Sequence, residues 1–574
     1  MPEPVTVIVG ADVRVLDRAG RRAEAVAWRG SRLVAVGARA EVERAAGDGA
    51  LVRDVAGATV LPGFLDLHHH SGLGALYGSR VSLAAPAVRD LPTLQAKLVE
   101  AARELPTGRW LVAIEWDEAT LAERRAPTRA ELDAAVPDRP VFALHYSCHR
   151  AVANARALEL AGIDRHTPEP LGGVIERGPG GVPRGLLIER AMSRVETLAR
   201  ADLVAHDADA FVERLREHHR GLVAVGITHV IDAAVPPDLR ALYEEAARRQ
   251  ALLVPTTMMP VSLDGYLEPA WGALGGPVTG AGEGVLRIGP LKLILDGAPA
   301  CAMCLRFWQA AGAAASAVLA AARAAHLDPL RAMLSVAPQP LRGARVRTGL
   351  LLHSPRDVRD LVRGAAARGF AVATHAVGNA AVDLALDALT AERALAGRAA
   401  RPRIEHAWFV SREQVARIAG EGLSVVTQPH FVSLPAFASA PRVPGLRGGA
   451  LRWLLDAGAL VAGSSDYPVA GFDPLAAVRS AVERRTCAGH TYEPDQCVEL
   501  EEALALYTRT AAEVAGCLGA AGTLEAGKRA DLVLLDRRLE RGTLAEARVA
   551  TTVIGGRVVH GGLGAGAPPD GPPP

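Results

Sequence analysis

Leu61-Pro-Gly-Phe-Leu-Asp-Leu-His-His-His70 is the stretch that decides the fold. A short apolar run ends in consecutive histidines, and in a strand residues i and i+2 share a face. His68 and His70 therefore project to one side and His69 to the other. Two neutral imidazoles on one face can hold one cation. A chance cluster of histidines on an apolar strand would give the same letters, so the meaning of the motif depends on the rest of the chain.

Lysine usage is the next signal. Of 64 basic residues only Lys97, Lys292 and Lys528 are lysines. Lys292 lies in Leu291-Lys-Leu-Ile-Leu-Asp296, an apolar run where a charge is rare unless paired. Unlike arginine, lysine can lose its proton, and a neutral amine can add carbon dioxide to become a carbamate that bridges two cations. The competing explanations are a lysine reaching out from the strand end, or one paired with Asp296 on the same face.

The length, 574 residues, is long for one domain, though barrels of ~250 residues fold as single units. A formal charge of +1 leaves no electrostatic footprint for nucleic acid or an anionic membrane, so the expected partner is a small-molecule substrate. The start, Met1-Pro-Glu-Pro-Val-Thr-Val-Ile-Val, lacks the pattern of a signal peptide, and no apolar run reaches membrane-spanning length. A cytoplasmic protein is expected. A homo-oligomer is compatible with the sequence, which does not specify one. Six scattered cysteines form no disulfide framework. Cys301-Ala-Met-Cys304 has ligand-like spacing but no matching second pair, which favours buried reduced thiols over a structural zinc.

The rhythm of the chain predicts an α/β protein. Short strands over residues 4–60 (Val5–Gly10, Val13–Leu16, Ala25–Trp28, Leu33–Val36) return in kind at Ala530–Asp536 and Ala550–His560, so residues 1–61 and 519–562 are expected to build one composite β-sandwich. From about 220 to 480 apolar strands alternate with Ala/Leu/Arg-rich helices, at Gly226–Asp232, Leu291–Asp296, Ala371–His375, Arg403–His406, Ser424–Thr427 and Leu460–Gly463. That alternation predicts a (β/α)8 TIM-like barrel over 62–80 and 216–518, with residues 81–215 as an α/β insertion and 563–574 as a disordered tail.

Candidate ligands recur at the strand ends: His68, His70, Lys292, His375, His406 and Asp466. In a (β/α)8 barrel those ends converge on one mouth. Four imidazoles, a carboxylate and a potential carbamate suit two divalent cations about 3.5–4 Å apart. Such donors suit zinc, and iron, manganese or nickel fit them too.

In this order, with Trp116-Asp-Glu118, His149-Arg-Ala-Val-Ala-Asn154, Gly172–Arg177, His375-Ala-Val-Gly378, Gln428-Pro-His430, Ser465–Pro468 and Gly522–Asp531, these residues resemble the metal-dependent amidohydrolase superfamily. The resemblance is to its amidohydrolase family 3 branch, which contains N-substituted formamide deformylases. It implies one metal on His68, His70 and Asp466, a second on His375 and His406, and a carboxylated Lys292 bridging both. It also implies Asp466 as catalytic base and acid, and makes Lys528 part of a structural turn. His149, Trp116 and His430 match motifs outside the metal set and are candidate substrate contacts; His149 could equally be a packing residue. His145 reads as core.

Three departures stand out: Asn379 and Ala380 where relatives carry aspartate and arginine, Ala298–Cys304 in place of a small polar run, and His69 as a third imidazole. The expected activity is hydrolysis of a non-peptide C–N bond, in an N-acyl or N-formyl amide, through a metal-bridged hydroxide. A cyclic imide hydrolase or heterocycle deaminase on the same site, and a non-catalytic metal-binding scaffold, are the alternatives.

Overall fold

The computed structural model describes residues 3–78, 81–262, 276–298, 301–324, 339–341, 343–392, 402–434 and 442–563. Apart from Leu563, the tail expected over 563–574 lies outside them.

Both chain ends meet in one sheet. Thr6–Arg14 pairs with Arg22–Arg29, which pairs with Arg32–Gly37. On the other side Thr59–Pro62 pairs with Leu532–Leu535, followed by Val549–Ile554 and Arg557–Gly561. The segments expected as two strands, Val5–Gly10 and Val13–Leu16, form a single strand whose register shifts between Val9 and Val13. It changes parallel partner there, from Leu51–Asp54 to Thr59–Val60. All eight strands are thus linked in one hydrogen-bonded sheet where two facing sheets were expected. One face buries Ile8, Val26, Trp28, Leu532 and Leu534; the other packs Val7, Val9 and Ala27 on Val42 and Ala46 of the helix Arg39–Ala46.

Downstream, the parallel strands form two arcs. One runs Leu286–Ile288, Thr256–Pro260, Ile227–Val235, Phe64–His69; the other runs Leu291–Ile294, Val372–Ala376, Arg403–His406, Ser424–Thr427, Leu460–Gly463. The arcs adjoin where Thr256–Pro260 meets Leu291–Ile294 and where Leu460–Gly463 meets Phe64–His69, but no ladder closes either seam. The single closed ladder expected of a barrel is therefore replaced, among the described residues, by two parallel sheets. Leu65, Leu67, Ile231, Met259, Ala373, Val426 and Ala462, drawn from both arcs, share one apolar cluster. Burial of these side chains, each worth about 1.5–3 kcal/mol for the larger ones, holds the arcs together and aligns their strand ends.

The helices follow from local chemistry. Pro355–Ala367 starts where Ser354 Oγ accepts the Asp357 N–H at 3.2 Å, while Asp357 accepts the Ser354 N–H at 3.2 Å, with Pro355 preset at the first turn. The insertion carries a six-stranded sheet from Val81–Ser82 to Pro183–Glu189 over its own apolar core. No described helix is long and apolar enough to cross a membrane.

Candidate metal centre

His68 stands near the end of Phe64–His69, buried. Its Nδ1 lies 2.5 Å from Glu405 Oε2. A carboxylate only accepts, so Nδ1 carries the proton and Nε2 keeps a lone pair. That nitrogen faces Lys292 Nζ at 3.2 Å and Asp466 Oδ1 at 3.4 Å. His70 has already left the strand, yet its Nε2 reaches the same Asp466 oxygen at 3.2 Å. His406 closes the group, its ring 4.8 Å from that of His68 and 4.4 Å from that of His375. Its Nδ1 meets Gln428 Oε1 at 2.7 Å.

Backbone geometry makes this convergence: His406 and Asp466 adopt positive φ, 71° and 59°, turning their side chains inward as the strands end. The Asp466 N–H donates to His68 O at 2.7 Å and the His70 N–H to Tyr467 O at 2.9 Å, tying the two loops together. Asp66 reinforces the tie. Its carboxylate accepts from the N–H groups of Ser465 at 3.1 Å and His68 at 3.3 Å and from Ser465 Oγ at 2.5 Å, and lies 3.0 Å from His69 Nδ1.

The donors suit a divalent cation. One ligand atom from each of His68, His406 and Asp466 falls within 4.8 Å of the others. His375 Nε2 and His406 Nε2 are buried without a hydrogen-bond partner, as is His70 Nδ1. Burial, aided by the nearby Lys292 ammonium, holds His68 well below the usual imidazole range. Burial also pushes His375 well down and His406 to about 4, so the rings are neutral ligands. Burial opposes the Asp466 charge, but the His70 hydrogen bond and the neighbouring cationic groups outweigh it and lower its pKa. Lys292, 2% exposed, is drawn down to about 8 by burial against the pull of Glu405 and Asp466. It contacts His68, and the expected alternative pairing with Asp296 is absent among its described contacts. Asp296 instead accepts the N–H groups of Val377, Gly378 and Ala302, and burial raises it to about 7.

The remaining candidates divide. His149 comes within 5.4 Å of the His375 ring, with Nδ1 3.0 Å from the buried Glu189. Trp116 does not join them; it is fully buried in the insertion core and its indole N–H donates to Ala143 O at 2.9 Å. His430 sits on the turn Pro429–Ser433, with Nδ1 3.2 Å from Ser480 Oγ. His145 forms a second group with Asp117 and Glu118. There Arg150 lies 2.8 Å from both Glu118 and His145, so a guanidinium already supplies the positive charge. Asn379 clamps the departing segment, accepting the Cys304 N–H at 2.8 Å and donating to Cys304 O at 2.9 Å. Cys301 and Cys304 are free, half-buried thiols.

Glu405, Asp66, Asp232 and Gln428, which back the centre, were given no role from sequence. The available signal was a charge inside an apolar strand: Asp66 two residues before His68, and Glu405 between Arg403 and His406.

Residues 51–560 match the amidohydrolase family. The chain is 33% identical to an N-substituted formamide deformylase of Arthrobacter pascens over 96% of this chain and 97% of that one. Its fold is similar to that of an uncharacterised metal-dependent hydrolase from Pyrococcus horikoshii, with a TM-score of 0.66, 22% identity and coverage of 94% and 99%. It is also similar to that of the atrazine chlorohydrolase TrzN from Arthrobacter aurescens complexed with zinc, with a TM-score of 0.50, 16% identity and coverage of 97% and 96%. The chain belongs to the amidohydrolase family, and it is a hydrolase acting on carbon–nitrogen bonds other than peptide bonds.

Proposed function

We propose that the protein hydrolyses the amide of a small N-substituted formamide or related N-acyl amine, using two divalent ions held by His68, His70 and Asp466 on one side and His375 and His406 on the other. The observation that carries this is the gathering of neutral imidazoles, with unpaired buried nitrogens, around one ionised carboxylate. Zinc is the ion we assign, supported by the nitrogen and oxygen donors and by the zinc-bound fold neighbour. The formamide class is supported by the relative that covers 96% of the chain.

Bound ions would supply a hydroxide at ordinary pH and polarise the carbonyl. The chain's own residues supply the rest. Lys292 is the buried amine of the centre; when neutral, its Nζ lone pair would form an N–C bond to carbon dioxide as one C=O π bond opens onto oxygen and the N–H proton passes to water, giving a carbamate whose oxygens would add anionic metal donors. Asp466 takes the proton of the attacking water and delivers it to the departing nitrogen, because an amine leaves only when protonated. His149, oriented by Glu189, donates to the carbonyl oxygen as charge develops there. Burial lowers the pKa of His149, and the Glu189 charge and hydrogen bond outweigh it, leaving it raised and able to donate. Phe431 lies parallel to the His406 ring at 6.2 Å within a buried apolar cluster with Val377, Trp408 and Ala470, which packs behind that ring and holds it in place.

The test is product analysis on the zinc-loaded protein with N-substituted formamides, cyclic imides and amino-heterocycles. Formate and amine released from the first class support the proposal. Ammonia from heterocycles, or ring opening of imides alone, would replace it.

A further inference from the structure

We propose that Glu405 is a positioning residue that makes the two metal positions unequal, the His68–His70–Asp466 position binding tightly and the His375–His406 position loosely. The inference rests on the binuclear centre proposed above and adds an order of affinity to it.

The four imidazoles have different backing. Glu405, fully buried, holds His68 through Oε2 at 2.5 Å from Nδ1. Its Oε1 accepts Arg403 Nε at 2.6 Å, and Arg403 Nη2 donates to Leu67 O at 2.9 Å, on the strand that carries His68. The carboxylate is thereby locked to its histidine from both sides. Behind His70 the nearest carboxylate, Asp232, stays 4.0 Å from Nδ1, beyond hydrogen-bond reach, and its Oδ2 accepts the Gly72 N–H at 2.7 Å and the Tyr243 hydroxyl instead.

Behind His406 stands a neutral amide instead. Gln428 Nε2 donates to Ser464 Oγ at 2.9 Å, which fixes its oxygen toward His406 Nδ1. Asp296 is 3.6 Å from His375 Nε2, but three backbone N–H groups share its charge. A carboxylate behind an imidazole raises the ring's basicity and fixes its orientation, and losing such a partner typically costs about 10–100-fold in metal affinity. The position served by His68 and His70 has the one carboxylate hydrogen-bonded behind a ring, Glu405, as well as the Asp466 anion.

The test is zinc titration of chelator-stripped full-length protein against a competing chromophoric chelator. Wild type should show one tight and one loose class. Glu405→Gln should weaken the tight class about 10–100-fold and leave the loose class within about threefold. Gln428→Glu should tighten the loose class about tenfold, an effect that general loosening cannot produce. Because Glu405→Gln leaves the Arg403 charge buried, Arg403→Met/Glu405→Gln is carried alongside, with circular dichroism as the folding check. Unchanged binding in Glu405→Gln, equal weakening of both classes, or two equal classes in wild type would overturn the inference while leaving the centre intact. Wild type that takes up no zinc would overturn both.

Discussion

Replacing Asp66 with alanine should disable the site without removing any metal donor. The carboxylate, 2% exposed, gathers four groups: the N–H of His68, the N–H and hydroxyl of Ser465, and His69 Nδ1. In the alanine variant the Ser465 hydroxyl can turn to His69 Nδ1, which already lies 3.0 Å away. The two backbone N–H groups have no such substitute. Each buried donor left unpaired costs about 1–3 kcal/mol, so the fold loses about 4 kcal/mol. That corresponds to a fall of roughly 5–10 °C in the thermal midpoint. The functional loss comes from Asp466, which follows Ser465 in the braced turn; a displacement of about 1 Å there lowers kcat about 100-fold. Asp66→Asn keeps an oxygen for the two N–H groups and presents its amide to groups able to accept, so it should stay within about tenfold of wild type. The assay is formate release under saturating substrate, with metal content measured in parallel. Alanine variant kcat within threefold of wild type, at an unchanged thermal midpoint, would refute the brace.

Further expectations follow from the same geometry. Asp466→Asn should lower kcat by about 100–10,000-fold while circular dichroism stays native; wild-type turnover would remove the acid–base assignment. Gly297→Ala places a Cβ 2.0 Å from Glu189 Oε1, so it should displace the carboxylate that orients His149. Its kcat/KM should fall to that of His149→Ala, at about 1–3 kcal/mol of stability, and unimpaired kcat/KM would contradict the His149 role. His219 is fully buried, and burial holds it down to about 3, with Nδ1 accepting the Val254 N–H at 3.2 Å. Its folded value lies below the unfolded one, so the stability it contributes is present above about pH 6.5 and is lost as pH falls toward about 3. Chelator-treated wild type should lose about 1.4 kcal/mol per pH unit below 6.5 that His219→Gln retains, and parallel denaturation curves would exclude this source.

Much of the site was legible because its chemistry is concentrated in a few residues that contradict their surroundings. His68, His70, His375 and His406 break apolar strands, and Lys292 is one of three lysines in the chain. Apolar runs ending in such residues therefore marked them as a group, and the structure sets His68, His375 and His406 at or beside strand ends while His70 lies just past one. Strand boundaries such as Arg403–His406 and Ser424–Thr427 were equally plain, since branched apolar residues bounded by polar ones allow little slippage. The partition into sheets was not legible. Whether two arcs close into one ladder depends on hydrogen bonds between residues far apart in sequence, and no local pattern encodes them. The same holds for the terminal sheet, where one bulged strand, Thr6–Arg14, serves two parallel partners. Supporting groups were missed for a related reason: Glu405 and Asp232 acquire meaning only from the imidazoles opposite them. Trp116 shows the converse: its motif places it in a buried core, where the indole N–H donates to Ala143 O, away from the imidazole group.

The proposed centre requires divalent metal to be held through Lys292 as well as through histidine. It is tested most directly by metal equivalents per chain, measured by elemental analysis on protein purified without chelator, for wild type beside Lys292→Ala. About two equivalents are expected in wild type, falling to one or fewer in the variant while the fold is retained. Equal metal content in the two proteins would contradict the bridging lysine, and wild type that neither holds nor takes up metal would contradict the centre itself.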